Sequence, residues 1–147
     1  MITLARLVST LLLLPLTAGS GIAVARNVDH FNGGGQIVGT PTGSKGTFGF
    51  TAHNTDLPHG HMTYIDHAAV KIAVHSTAIT SYTIVNATTR TITGTCKIGG
   101  VRGFSFTATV VDNGEPGTAD TFSIALSSGY AASGILVHGN VQVHAVP

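Results

Sequence analysis

Tryptophan is absent, cysteine occurs once, and charged side chains make up only 9% of the 147 residues. Each shortage removes a class of protein. A lone Cys96 cannot close an internal disulfide, although small exported domains commonly depend on such bridges. The fold is therefore left to its core and its backbone hydrogen bonds. A reactive thiol needs electropositive, accessible surroundings. Its neighbour Lys97 would point to the opposite face of a strand, so Cys96 reads as a buried structural residue. The scarce charges are also scattered, which leaves a formal net charge of +1 at pH 7. No basic stripe is available for a phosphate backbone, and nucleic acid is not expected as a partner.

Long apolar runs are missing too, except at the start. Met1–Ala25 carries one cation at Arg6, an apolar stretch Leu7–Leu16 and the small-residue motif Ala23-Val24-Ala25. These are the three parts of an export signal. The apolar stretch is about ten residues, short of the ~20 that cross a bilayer. The expectation is a signal helix cleaved after Ala25, giving a secreted or periplasmic chain, Arg26–Pro147, with no stable membrane insertion after cleavage. That chain holds six acids (Asp29, Asp56, Asp66, Asp112, Glu115, Asp120) and six bases (Arg26, Lys45, Lys71, Arg90, Lys97, Arg102). It is one domain's worth of sequence, with a core expected over residues 33–146.

What is present is alternation. Phe48, Phe50 and Ala52 alternate with Thr47, Gly49 and Thr51; Ile92, Gly94, Cys96 and Ile98 alternate with Thr91, Thr93, Thr95 and Lys97. Phe104, Phe106, Ala108 and Val110 alternate with Ser105, Thr107 and Thr109, and Phe122, Ile124 and Leu126 continue the pattern. A period of two with threonine on the polar side marks half-exposed strands. Gly and polar residues punctuate the chain at Asn54–Pro58, Asn86–Thr88, Gly99-Gly100, Asp112–Gly117, Ser128-Gly129 and Gly139-Asn140. No gap is long enough for a parallel crossover. The fold class is therefore all-β: a single antiparallel meander closed as an up-and-down barrel or a flattened β-sandwich.

Register can be read in places. A two-residue Gly99-Gly100 turn would throw Phe104 onto the threonine face. A three-residue Gly99–Val101 loop sets Cys96 against Phe104 and Gly94 against Phe106, keeping the apolar residues on one face. A two-residue Ser128-Gly129 turn pairs Ile124 with Ser133 and Phe122 with Ile135, which puts Tyr130 on the face opposite Phe122 and Ile124. A His138–Asn140 loop then pairs Val137 with Val141 and Ile135 with Val143. Gly33-Gly34-Gly35 reads as a flexible entry to the first strand.

Several segments occur in a familiar order: Gly33-Gly34-Gly35-Gln36-Ile37, Gly46-Thr47-Phe48-Gly49-Phe50, Gly60-His61-Met62-Thr63-Tyr64-Ile65-Asp66, Ile92-Thr93-Gly94-Thr95, Phe104–Val110, Asp112–Gly117 and Asp120–Ile124. The set resembles the post-COAP domain, a small bacterial secreted module, over essentially the whole mature chain. The resemblance implies export, a bacterial source and an all-β module, and carries no site. The additional histidines, such as His59, His67 and His138, are a departure.

Eight histidines are the most unusual part of the composition. His59 and His61 would project from one strand face about 6.5–7 Å apart. A hairpin of Thr47–His53 with His61–His67 would bring His53 near both. With Asp66, these are the candidate metal ligands, a set suited to zinc, copper or nickel; solvent-exposed or hydrogen-bonded strand histidines are the simpler reading. Asp112, Glu115 and Asp120 could offer oxygens to calcium, though Asp-Asn-Gly-Glu-Pro-Gly is also turn chemistry. No cofactor is required by either cluster. With no tryptophan, a glycan surface would have to use Tyr64, Tyr82 or Tyr130. No Gly-x-Ser-x-Gly elbow or His-Glu-x-x-His motif occurs. The sequence favours a non-catalytic binding or structural module for an extracellular protein, a glycan or the envelope. The competing reading is a small metal-dependent or hydrolytic enzyme built on residues 53–67.

Overall fold

A computed structural model describes residues 28–147, so the signal helix and its cleavage point lie outside the described residues. Among the described residues, nine antiparallel strands form one sheet: β1 (His30–Ile37), β2 (Gly46–His53), β3 (His59–Asp66), β4 (Ile72–Ile84), β5 (Thr89–Ile98), β6 (Val101–Val111), β7 (Thr121–Leu126), β8 (Ala131–Ile135) and β9 (His138–His144). The spatial order is β8-β7-β6-β5-β4-β3-β2-β1-β9. Strands β1 to β8 are thus a meander of neighbours, while β9 returns to the far side of β1. The sheet curls into a half-barrel, and its concave face holds the core.

Alternation builds that core as expected. Phe31, Phe48, Phe50, Tyr64, Val74, Ile92, Cys96, Phe106, Val110, Phe122, Ile124 and Val141 are all buried on the inner face. Phe48 from β2 stacks on Phe122 from β7 at 3.9 Å between ring centres, and Tyr64 lies 5.9 Å from the same ring. These contacts reach across the concavity, so the curl is filled by side chains. Burying each such aromatic contributes roughly 1.5–3 kcal/mol.

The β5–β6 register is the expected one, Cys96 facing Phe104 and Gly94 facing Phe106. The loop that produces it is different. Ile98 pairs with Val101 around a two-residue Gly99-Gly100 turn, and a bulge between Cys96 and Ile98 restores the inner face. Both turn glycines have positive φ, 57° and 82°, as the tightest hairpin turn demands. Turn geometry and facial parity conflicted, and one bulged residue reconciled them.

Three other expectations are corrected. Ile124 pairs with Ala132 and Phe122 with Gly134, because the β7–β8 loop spans three residues, closed by Leu126 N–H donating to Tyr130 O at 2.8 Å. This one-residue change turns Tyr130 inward. Gly139-Asn140 is no turn: it lies within β9, where Val141 faces Gly33 and Val143 faces Phe31 of β1. The unpaired edge of β1 captures the final strand, and only Leu136 and Val137 separate it from β8. Finally, Gly33–Gly35 form the middle of β1, paired on both sides. A Cβ on Gly33 would meet Asn140 O at 2.4 Å, so the glycines permit close packing rather than supply flexibility.

Candidate functional site

The inner face buries several polar groups, and nearly all are consumed by the framework. Arg90, 1% exposed, forms a two-pronged ion pair with Asp29: Nε and Nη2 donate to the two carboxylate oxygens at 2.7 Å each. Tyr82 donates to the same carboxylate, while Arg90 Nη1 donates to the carbonyls of Asn86 and Thr89. Burial pushes the Asp29 carboxyl up, but the hydrogen bonds from Arg90 and Tyr82 and the guanidinium charge more than offset it, so it sits below its ordinary value.

Asp66 is fully buried at the other end of the core and, among the described residues, has no cationic partner. Its acceptors are filled by the hydroxyls of Ser44, Thr42 and Tyr130 and by the Ala68 amide. Burial again raises this carboxyl and those donors outweigh it, Ser44 and Tyr130 foremost. Tyr64 and Tyr130 share a hydroxyl–hydroxyl bond of 2.7 Å. Burial and the bonds to Tyr64 and Asp66 push the Tyr130 phenol far above its ordinary range.

The acidic loop is spent in a similar way. Asp120 accepts from the amides of Asn113 and Val141, Asp112 from Gly114 and Val143, and Glu115 from the side chains of Asn140 and Gln142. All three carboxylates therefore tie the β6–β7 connection to β9. The Asn140 and Gln142 bonds hold Glu115 below its ordinary pKa. Asn86 serves locally, its side-chain oxygen accepting from the amides of Thr88 and Thr89.

The outer face presents different chemistry. His30, His53, His59 and His144 each occupy an outward position, because their parity is opposite to that of Phe31, Ala52, Met62 and Val143. The register sets His53 against His59, His30 against His53 and His30 against His144. The result is one row of four imidazoles across β3, β2, β1 and β9. Successive ring centres are 4.9, 5.2 and 4.4 Å apart, with neighbouring planes within 15° of parallel. His30 Nδ1 lies 3.0 Å from Val28 O, so it carries the proton and leaves Nε2 free in the neutral ring. His144 Nε2 is 3.0 Å from Asn32 Oδ1, and His59 Nδ1 is 3.2 Å from Thr55 Oγ1. Beside the row lies a cavity of about 450 Å³ lined by Val28, His30, His53, His144 and the segment Ala145–Pro147.

Two charges 4 Å apart repel by about 1 kcal/mol in bulk water and about 4 kcal/mol at the effective dielectric near a protein surface. Charging one ring therefore opposes charging the next. Burial and the neighbouring His59 and His30 accordingly hold the His53 imidazole below its ordinary pKa of 6.5.

The candidate residues read from the sequence are thus divided by the fold. His53 and His59 are brought together; His61 lies on the same face but opposite Thr51, one step along the strands. Asp66 projects to the opposite face, into its hydroxyl cluster. Among the described residues, no three His, Cys, Asp or Glu side chains form a group arranged to hold a metal; parallel rings set their nitrogens side by side, whereas zinc requires convergent donors. Tyr64 is fully buried, and Tyr82 and Tyr130 point their hydroxyls at Asp29 and Asp66. Sequence reading missed His30 and His144. The available signal was that each adjoins an inward apolar residue, but only the β9–β1 pairing puts them in the row. Cys96 is buried, and burial raises its thiol pKa. No family model, curated protein or solved structure matches the chain.

Proposed function

We propose that the chain is a secreted, non-catalytic extracellular binding module of the post-COAP kind, and that it engages its ligand through the convex outer face. The histidine row is the observation that carries this reading. The buried carboxylates and tyrosines have structural partners, whereas the row presents four ordered heterocycles at the surface. Farther round the curl the same face displays paired hydroxyls, with Thr77–Thr95 at 2.7 Å, Ser81–Thr93 at 2.6 Å and Thr91–Thr109 at 2.8 Å. An uncharged polar surface of this kind suits an extracellular polymer or an envelope component. The finer architectural reading is an up-and-down barrel rather than a flattened sandwich, supported by Ser133 N–H donating to Gly39 O beyond the end of β1.

The test is co-sedimentation of the mature chain with bacterial envelope fractions, run beside a turnover screen over ester, glycoside, phosphoester and peptide substrates. Retention that falls at least fivefold in His53→Gln, without turnover, is the expected outcome. Turnover that disappears in His59→Gln would instead establish the enzymatic reading.

A further inference from the structure

We infer that the imidazole row is an acid-gated site for a linear phosphate polymer. This rests on the binding-module reading and names the ligand class for the same face. Four features of the row carry the inference.

The first is the lack of an internal counter-ion. Among the described residues the one ion pair is Arg90–Asp29, and no carboxylate lies within ion-pairing distance of a ring in the row. Asp29 is next to His30 in sequence, but its oxygens are taken by Arg90 and Tyr82. Asp112 accepts from the Val143 amide. Asp56 in the β2–β3 loop is the other carboxylate at this end, and it makes no hydrogen bond or ion pair with the row. His61 is a further titratable group on β3, facing outward. Beyond β3 along the outer face come His75 on β4 and Lys97 on β5, which face each other. Charge placed on the row as pH falls must therefore be balanced from solution.

The second feature is shape. The row repeats a ring every 4.4–5.2 Å over four strands, so it offers a line of N–H donors rather than one focal point. A chain of repeating anions fits a line, whereas a single carboxylate or metal ion would use one element of it. Phosphate esters also stay ionised where imidazole gains its proton, and each presents several acceptor oxygens. The third feature is room, since the cavity beside His30, His53 and His144 leaves those rings open to solvent on one side. The fourth is the sign of the switch. Charging one ring opposes charging the next, so an anion that binds the charged form raises proton uptake, and acid tightens binding in return.

Calorimetric titration of the mature chain with inorganic polyphosphate and, separately, with poly(glycerol phosphate) at pH 5.5 and pH 8.0 tests the inference. The two polymers distinguish a free phosphate chain from an envelope phosphodiester. Saturable binding of either, at least tenfold tighter at pH 5.5, is expected. His53→Gln should weaken it at least fivefold at pH 5.5 with little effect at pH 8.0, and His144→Gln on the edge strand provides a second variant should the first not fold. His67→Gln, whose ring bonds Thr47 away from the row, should bind as the parent does. No saturable binding at pH 5.5, affinity independent of pH, or an equal loss in His67→Gln would overturn the proposal. Envelope retention that persists without phosphate-polymer binding would overturn this inference alone and leave the binding-module reading standing.

Discussion

Asp29 and Asp66 are buried at opposite ends of the same core: Asp29 precedes His30, which pairs with the last residue of β2, whereas Asp66 pairs with the first. One is answered by a guanidinium, the other by hydroxyls and an amide. The difference teaches how each end will fail. An ion pair leaves a naked charge behind when one member is removed. A carboxylate held by neutral donors leaves only donors, several of which can turn toward water or toward one another.

Arg90→Leu should therefore be the most damaging change, costing about 3–5 kcal/mol because Asp29 remains buried without its cation. Urea unfolding measures this, and the Asp29→Leu/Arg90→Leu double variant should recover part of the loss. A double variant as unstable as Arg90→Leu alone would show that packing, not charge, dominates this end.

Asp66→Asn should cost less, about 1.5–3 kcal/mol, the range for hydrogen bonds to a charged group. Tyr130→Phe should remove a smaller part, about 1 kcal/mol, visible as a lower melting temperature. If Asp66→Asn proves the equal of Arg90→Leu, the hydroxyl end is as unforgiving as the ion pair and the contrast fails.

Acid sharpens the same comparison. Both carboxyls sit below their ordinary value of 3.8 in the folded chain, so around that pH the unfolded chain binds more protons. Their stabilisation is present above pH 3.8 and is lost as pH falls through the lowered folded values. The acid limb of the stability curve should flatten in Asp66→Asn. An unchanged limb would assign acid sensitivity to the Asp29 end or to Glu115, which its bonds to Asn140 and Gln142 also hold below its ordinary value.

The smallest expected effect belongs to the histidine row, which lies on the outer face at the Asp29 end. His53 has a folded pKa below its ordinary 6.5. The unfolded chain thus binds the extra proton between the two values, and stability declines as pH drops from about 6.5 toward the folded value. His53→Gln should remove that slope, as followed by thermal melts between pH 7.5 and 5. A slope that survives would place the titration on other rings of the row.

Legibility followed the range of the interactions. Alternation marked Phe48, Phe50, Phe106 and Phe122 as inward residues because strand side chains change face at every step. The pairing of Cys96 with Phe104 was also readable, since both flank one short turn and parity leaves a single acceptable register. The Ser127–Gly129 loop was misjudged by one residue, as Ala132 and Gly134 are too small to announce their face. The candidate site was only partly legible. His53 and His59 flank one connection and could be paired, but His30 and His144 are separated by most of the chain.

By itself, then, the sequence determined the strand periodicity, the phenylalanine-lined interior and the reliance on hydrogen bonds in place of disulfides, because these follow from local composition and a period of two. Tertiary structure decided that β9 pairs with β1 rather than β8, that the acidic loop serves to hold β9, and that four histidines stand in one row. Those outcomes depend on which free edge captures the last strand, and edge pairing is set by the curl of the whole sheet.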